Sequence, residues 1–364
     1  MVNNLSNVEK LLVMLIGAVG IFVIAAETGY LPQPNTNLTE IPLPQKEAPK
    51  NQPKVNRVNS QLQKKASEPV SANESKSVQK TTDTVNFNSR FIKEVTAHKY
   101  QSVATPPKAP VFRWDFSGAG IVHTYEYEQE TRSINNMGPS MGGKSNGVNQ
   151  EVSAKGMLLV ESRGDGTAEL MLKSIKMSMK VDMGGGEPKT REQQMPPVVV
   201  QGMQEDSSGP FGNSTQDIFL KMLFPLPTKE LKVGESVDVP MQIPFNAMGS
   251  LLQVTGHSRI TLSRYVKEGN HTYAQLNVDT DVSELKVPKE LKGEYKSSTK
   301  GKAVFYFDVE NRSFVSGAIA MLVEVSIDAP MPKMDIPGMD NSKMPKRTRM
   351  AMASDNLIRV KLKR

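Results

Sequence analysis

Hydrophobic positions fall into three regimes along the 364 residues. The first is an unbroken apolar run, Leu11 to Ala26, without a single charge. The second, residues 32–110, has few large apolar side chains, scattered among Pro, Asn, Gln, Ser, Lys and Thr. The third, from Trp114 onward, alternates apolar and polar positions with a period of two, which is the period of a strand with one buried face.

The period-two runs arrange as hairpins. Gly156 to Glu161 leads through Arg163-Gly164-Asp165-Gly166 into Thr167 to Leu172, with glycines where a tight turn needs positive φ. Gly256 to Leu262 turns at Lys267 to Asn270 into Thr272 to Val278, and Gly301 to Phe307 turns at Glu310 to Arg312 into Phe314 to Ile327. The Ile358 to Lys363 alternation predicts a final strand with one wet face, and Tyr125 to Asn136, polar at nearly every position, predicts an exposed antiparallel strand. One helix is predicted between them: Ser214 and Asp217 open it, Ile218, Phe219, Met222 and Leu223 form its stripe, and Phe224-Pro225 ends it. The expected fold is mainly β, an antiparallel meander forming a curved sheet or partial barrel with one or two short helices.

The apolar run is either a signal-peptide core or a membrane anchor bounded by Leu11 and Ala26. Sixteen helical residues cover roughly 24 Å, so an anchor must continue toward Leu31 to cross a core of about 30 Å. Cleavage after Ala25 or Ala26 is the alternative and would release a soluble exported protein. We read residues 1–31 as the anchor or signal and residues 32–110 as a linker rich in Pro, Asn, Ser and Lys. Such a composition offers too little apolar surface to offset chain entropy, and it would average roughly 50 Å end to end. Within it, Phe87, Phe91, Ile92 and Val95 have spacings of one or two helical turns and suit a frayed helix at the domain edge. Residues 111–364 form the expected extracytoplasmic β domain.

Charge follows the same division. Residues 1–110 hold 13 Lys or Arg against 8 Asp or Glu, while the rest hold 32 against 30. A nearly neutral domain argues against nucleic acid as a partner. The chain has no cysteine, so disulfides, thiolate metal sites and a lipid-modified N-terminal cysteine are ruled out.

Several motifs suggest chemistry. Gly138 to Ser145 matches G-x-x-x-x-G-K-S, which makes Gly143, Lys144 and Ser145 candidates for nucleotide binding. The preceding polar strand and the following Asn146-Gly147 turn differ from the strand-loop-helix setting of a phosphate loop. The chain contains 21 methionines. Thioethers suit Cu(I), and Met331, Met334, Met350 and Met352 have chelating spacings; the competing reading of the methionines is apolar filling over a sheet or a groove for an acyl chain. Arg163-Gly164-Asp165 is an adhesion tripeptide by letter and a tight turn by chemistry. His98, His123, His257 and His271 are isolated, no serine sits in a nucleophile elbow, and Asp279 and Asp281 read as solvated acids. No catalytic residue or cofactor is therefore assigned.

The order of Asp165, Gly166 and Ala168, then Phe224-Pro225-Leu226-Pro227, then Lys232-Val233-Gly234-Glu235-Ser236, then Gly301 and Asp308 resembles uncharacterised exported or membrane-anchored bacterial β-rich proteins. The resemblance spans roughly residues 120–328, with Val237 near where that group carries tryptophan. It implies a β-rich fold outside the cytoplasm and no established catalytic residues. The sequence thus predicts a binding or scaffolding module in a bacterial envelope, held at the inner membrane with its C-terminal domain in the periplasm. Its alternatives are a periplasmic lipid or hydrophobic-ligand binder, a Cu(I)-binding protein and a nucleotide binder. Expected partners are the membrane, a hydrophobic ligand or an envelope protein.

Overall fold

The computed structural model describes residues 89–98, 100–106, 110–137, 147–182, 187–209, 220–247, 250–330 and 347–363. They contain a short helix, α1 (Phe91–Glu94), and twelve strands: β1 (Gln101–Val103), β2 (Val122–Met137), β3 (Gly147–Ser162), β4 (Thr167–Asp182), β5 (Lys189–Met195), β6 (Val198–Gln204), β7 (Ser236–Ala247), β8 (Ser250–Glu268), β9 (His271–Leu285), β10 (Glu294–Asp308), β11 (Ser313–Pro330) and β12 (Arg347–Leu362). All pair antiparallel in one open sheet of order β1-β8-β9-β10-β11-β12-β2-β3-β4-β5, with β6 also on β4 and β7 also on β8. The three predicted hairpins are β3–β4, β8–β9 and β10–β11. Residues 220–223 are helical and Phe224-Pro225 follows the helix, as predicted; its predicted start at Ser214 and Asp217 lies outside the described residues. So does the apolar run Leu11 to Ala26.

The strand β12 has the expected wet face, with Ile358 and Val360 buried and Lys361 and Lys363 exposed, and it lies in the middle of the sheet between β11 and β2. Its neighbour β2, the strand that reads as exposed, differs from that reading: on one face Gln129, Thr131, Ser133 and Asn135 are all inaccessible. Polarity alone does not expose a strand when its side chains bond one another in the interior.

The face carrying Tyr125 and Tyr127 of β2, Leu158 of β3, Ile319 and Met321 of β11, and Ile358 and Val360 of β12 is the inner one. A single apolar cluster joins these to Leu170 of β4, Val200 of β6, Val239 of β7 and Ile260 of β8, so the sheet bends around a shared core. A plug fills one half of that face. Phe112, Trp114 and Phe116 come from the segment before β2, and Leu220, Leu223 and Phe224 from the helical turn after β6. Trp114 lies edge-on to Phe224 at 5.2 Å and near-parallel to Phe116 at 5.6 Å, and Phe314 touches both Trp114 and Phe224. The indole Nε1 donates to Ser207 Oγ at 3.0 Å, the Trp114 amide donates to the Glu205 carbonyl, and the Arg312 guanidinium donates to the Trp114 carbonyl at 2.8 Å. The plug is thus pinned by polar bonds as well as by packing.

The outer face carries a strap formed by the end of the segment that reads as linker. Phe91 packs on Ala320 and Leu357, Tyr100 meets Tyr273 and Tyr306 edge-on, and β1 then pairs with β8. The helical turn is capped from the sheet: the Asp355 carboxyl accepts from Ser89 Oγ at 2.5 Å, from the Arg90 amide at 2.8 Å and from the Phe91 amide at 3.2 Å. Asp355 is fully buried. Asp355→Ala leaves three donors unmatched, and strap docking should weaken by on the order of 2–4 kcal/mol. Hydrogen exchange should then accelerate at Phe91 and Ile92 and stay slow in β11; equal protection in wild type and variant would contradict this account of the strap.

Candidate functional site

The half of the inner face beyond the plug has a different chemistry. Along β2 the outward positions Glu126, Glu128, Glu130 and Arg132 are charged, and the inward positions Tyr127, Gln129, Thr131, Ser133 and Asn135 are neutral. Register places Asn356 opposite Thr131, Ser354 opposite Ser133 and Met352 opposite Asn135 on the β12 side. On the β3 side Val152 faces Thr131, Gln150 faces Ser133 and Val148 faces Asn135. A row of uncharged polar side chains therefore runs down the middle of the inner face.

Most of the row is internally bonded. The Tyr127 hydroxyl donates to Gln129 Oε1 at 2.8 Å, Gln129 Nε2 donates to Thr131 Oγ1 at 3.2 Å, and Thr131 Oγ1 donates to Asn356 Oδ1 at 2.9 Å. Asn356 Nδ2 then donates to Ser354 Oγ at 3.3 Å. The chain of bonds stops there. Among the described residues, Ser133 Oγ and both polar atoms of Asn135 have no hydrogen-bond partner, although each residue is only 3% exposed. An unmatched buried polar group costs about 1–3 kcal/mol, so a core built only for stability would carry apolar residues at these positions.

Apolar walls flank the row. On one side stand Val323, Val325 and Ile327 of β11 with Met350 and Met352 of β12, joined to Leu252 and Tyr295. On the other, Ala154 of β3 faces Met177 of β4, and Val152 faces Met179. Gln150 Nε2 donates to the Met179 sulfur at 2.8 Å. Burial pushes the Tyr127 hydroxyl pKa up, which keeps that end of the row neutral. The nearest cationic register positions are on the edge strand, where Arg191 and Lys189 of β5, both exposed, pair with Met179 and Val181.

Of the candidate metal ligands, Met350 and Met352 sit on one face of β12 opposite Ile327 and Val325, and Met352 is buried in that apolar wall. Met331 and Met334 lie outside the described residues, as do Gly143, Lys144 and Ser145 and the anchor bounded by Leu11 and Ala26. Among the described residues no group of three or more His, Asp or Glu is placed to hold a metal, and no helix is long and apolar enough to cross a membrane. The Arg163-Gly164-Asp165 tripeptide is the β3–β4 turn. Gly164 and Gly166 have positive φ, Arg163 pairs with Glu169, and Asp165 accepts from the amide and hydroxyl of Thr167. Asp279 and Asp281 are exposed. Asp308, at the end of β10, caps the turn that follows by accepting from the amides of Glu310 and Asn311. His123 packs against Trp114 at 5.8 Å, and burial holds its pKa below the usual imidazole value.

A cleft of about 260 Å³ opens on the outer face between α1 and β2 to β4, lined by Arg90, Glu130, Arg132, Glu151 and Lys180. Its charges largely answer one another: Arg132 pairs with Glu151 at 3.7 Å, and Arg359 with Glu130 at 2.9 Å. The polar row of the inner face is the feature that sequence reading missed. Its signal is the segregation along β2, with charge at even positions from 126 to 132 and neutral polar groups at odd positions from 129 to 135.

No family model matches the chain, and no curated protein matches it. Among solved structures, one of lipovitellin, described for its lipid–protein interactions, is similar at 10% identity with a TM-score of 0.34 over 68% of this chain and 25% of that chain. This chain spans about a quarter of the length of that protein. A second, the enduracididine biosynthesis enzyme MppR complexed with pyruvate, is similar at 9% identity with a TM-score of 0.11, over 66% of this chain and 90% of that one. At these scores neither likeness carries its neighbour's fold or activity to this chain.

Proposed function

We propose that the β domain is a binding module for a hydrophobic or lipid-like ligand, received on the inner face of the sheet beyond the plug. The observation that carries this reading is the pairing of buried, unpartnered Ser133 and Asn135 with walls of Met and branched aliphatic residues. Methionine side chains adapt to chains of varied shape, and a few polar groups in an apolar lining fix orientation. In the full protein, the apolar run from Leu11 to Ala26 holds the module at a bacterial inner membrane. The Lys-rich linker after it lets the domain range over the periplasmic surface. The protein binds or scaffolds rather than catalyses. Cu(I) capture by Met331 and Met334 with Met350 and Met352 is the second reading, favoured only by the chelating spacing and by Met350 and Met352 sharing one face of β12.

The test fills the site. Val325→Trp adds a bulky ring to the β11 wall, and the full chain should then bind the neutral dye Nile red at least tenfold more weakly than wild type, with an unchanged far-UV circular dichroism spectrum. Equal dye binding by a folded Val325→Trp variant would remove the inner face as the site. Cu(I) titration of the same protein decides the second reading, which fails unless Met350→Leu with Met352→Leu lowers the stoichiometry.

A further inference from the structure

The polar row also specifies what kind of ligand the site takes, an inference that rests on the proposed function. Among the described inner-face positions of β2, β3, β11 and β12 beyond the plug, none carries a carboxylate, ammonium, guanidinium or imidazole: Ser133, Asn135, Gln150, Ser354 and Asn356 are flanked by Val148, Val152, Val325, Ile327, Met350 and Met352. An anionic headgroup seated there would lose its hydration with no cation to answer it, a cost of several kcal/mol per ion. The unmatched atoms are of both kinds. Asn135 offers a donor at Nδ2 and an acceptor at Oδ1, and Ser133 Oγ does either. A carboxylate or phosphate only accepts, so it would satisfy Nδ2 and repel Oδ1. An ester beside a hydroxyl, or an amide, satisfies both.

We propose that Ser133 and Asn135 select a neutral amphiphile, an acyl chain carrying an ester and hydroxyl or an amide, over fatty acids and anionic phospholipids. The acyl chain lies along Val325, Ile327 and Met352, and the uncharged polar group meets Asn135. Selection carries a cost in stability, since the same two residues are unmatched when nothing is bound.

The experiment uses the full chain loaded with Nile red and competes it with three oleoyl compounds: 1-monooleoylglycerol, oleate and oleoyl-lysophosphatidylglycerol. The neutral glyceride should displace the dye at a concentration at least tenfold below either anion. Asn135→Leu should reduce that preference, read as the ratio of displacing concentrations within the variant, to threefold or less and raise the urea midpoint, because it removes two unmatched atoms at similar volume. Ser133→Val should shift both quantities in the same directions, and it serves as the second variant if Asn135→Leu fails to fold. Anions that compete as well as the glyceride, and lose affinity on Lys189→Glu with Arg191→Glu, would overturn the assignment in favour of recognition at the β5 rim. A preference unchanged in both variants would also overturn it and assign the unmatched groups to ordered water. Wild-type protein that binds no dye and no oleoyl compound would overturn the binding reading itself, an outcome distinct from the loss of selectivity.

Discussion

Trp114→Ala should destabilise the β domain by about 3–5 kcal/mol, a large share of the roughly 5–15 kcal/mol that holds a typical protein folded. This is the chain's one tryptophan, and it is fully buried at the junction of the two plug segments. Its removal opens a cavity against Phe116, Phe224 and Phe314 and leaves Ser207 Oγ without the indole donor. Urea unfolding followed by far-UV circular dichroism measures the loss without needing tryptophan fluorescence. Trp114→Phe keeps most of the aromatic contact and should lose clearly less. If the alanine variant unfolded within 1 kcal/mol of wild type, the plug would not be the anchor of the inner face.

Gly256→Ala should be nearly as damaging, for a backbone reason. A Cβ at this position would stand 2.2 Å from the Asp281 carbonyl oxygen and 2.5 Å from Val282 Cα, both on the adjoining strand β9. Neither atom is the end of a flexible side chain, so β8 and β9 must separate where the register already shifts between Thr255 and Gly256. The overpacking cost is about 1–3 kcal/mol or more. Gly301→Ala is the comparison: there the nearest atoms are Met321 Cγ at 3.0 Å and the Ala320 carbonyl oxygen at 3.1 Å, a tight contact rather than an overlap. A lower urea midpoint for Gly256→Ala than for Gly301→Ala is the expected order, and the reverse order would contradict the close approach of β8 and β9.

The hairpins were legible in the sequence because each combines a two-residue period with a glycine or asparagine turn: Gly164 and Gly166 adopt positive φ in the first, Gly269 in the second. The stop at Phe224-Pro225 was legible too, since proline cannot continue a helix. The placement of β2 was not. Period and polarity report that one face differs from the other, but not that the less charged face is shielded from water, as Gln129, Thr131, Ser133 and Asn135 are. The strap was legible in part. Phe91, Ile92 and Val95 show helical spacing at the domain edge, and a helix is there over Phe91–Glu94, but the carboxyl that caps it belongs to Asp355 near the other end of the chain, which no local pattern reports. The site was legible only as surplus methionine. Its polar row became visible once Thr131 and Asn356 were opposite each other.

The central claim is that the inner face beyond the plug holds a lipid-like molecule, and native mass spectrometry of the full chain, purified without detergent, tests it most directly. A photoreactive monoacylglycerol incubated with the protein should give a one-to-one adduct whose cross-linked peptides map to β2, β11 or β12, around Asn135, Val325 and Met352, and Val325→Trp should abolish it. An adduct confined to the outer-face strap, or none with protein whose circular dichroism shows an intact sheet, would contradict the account.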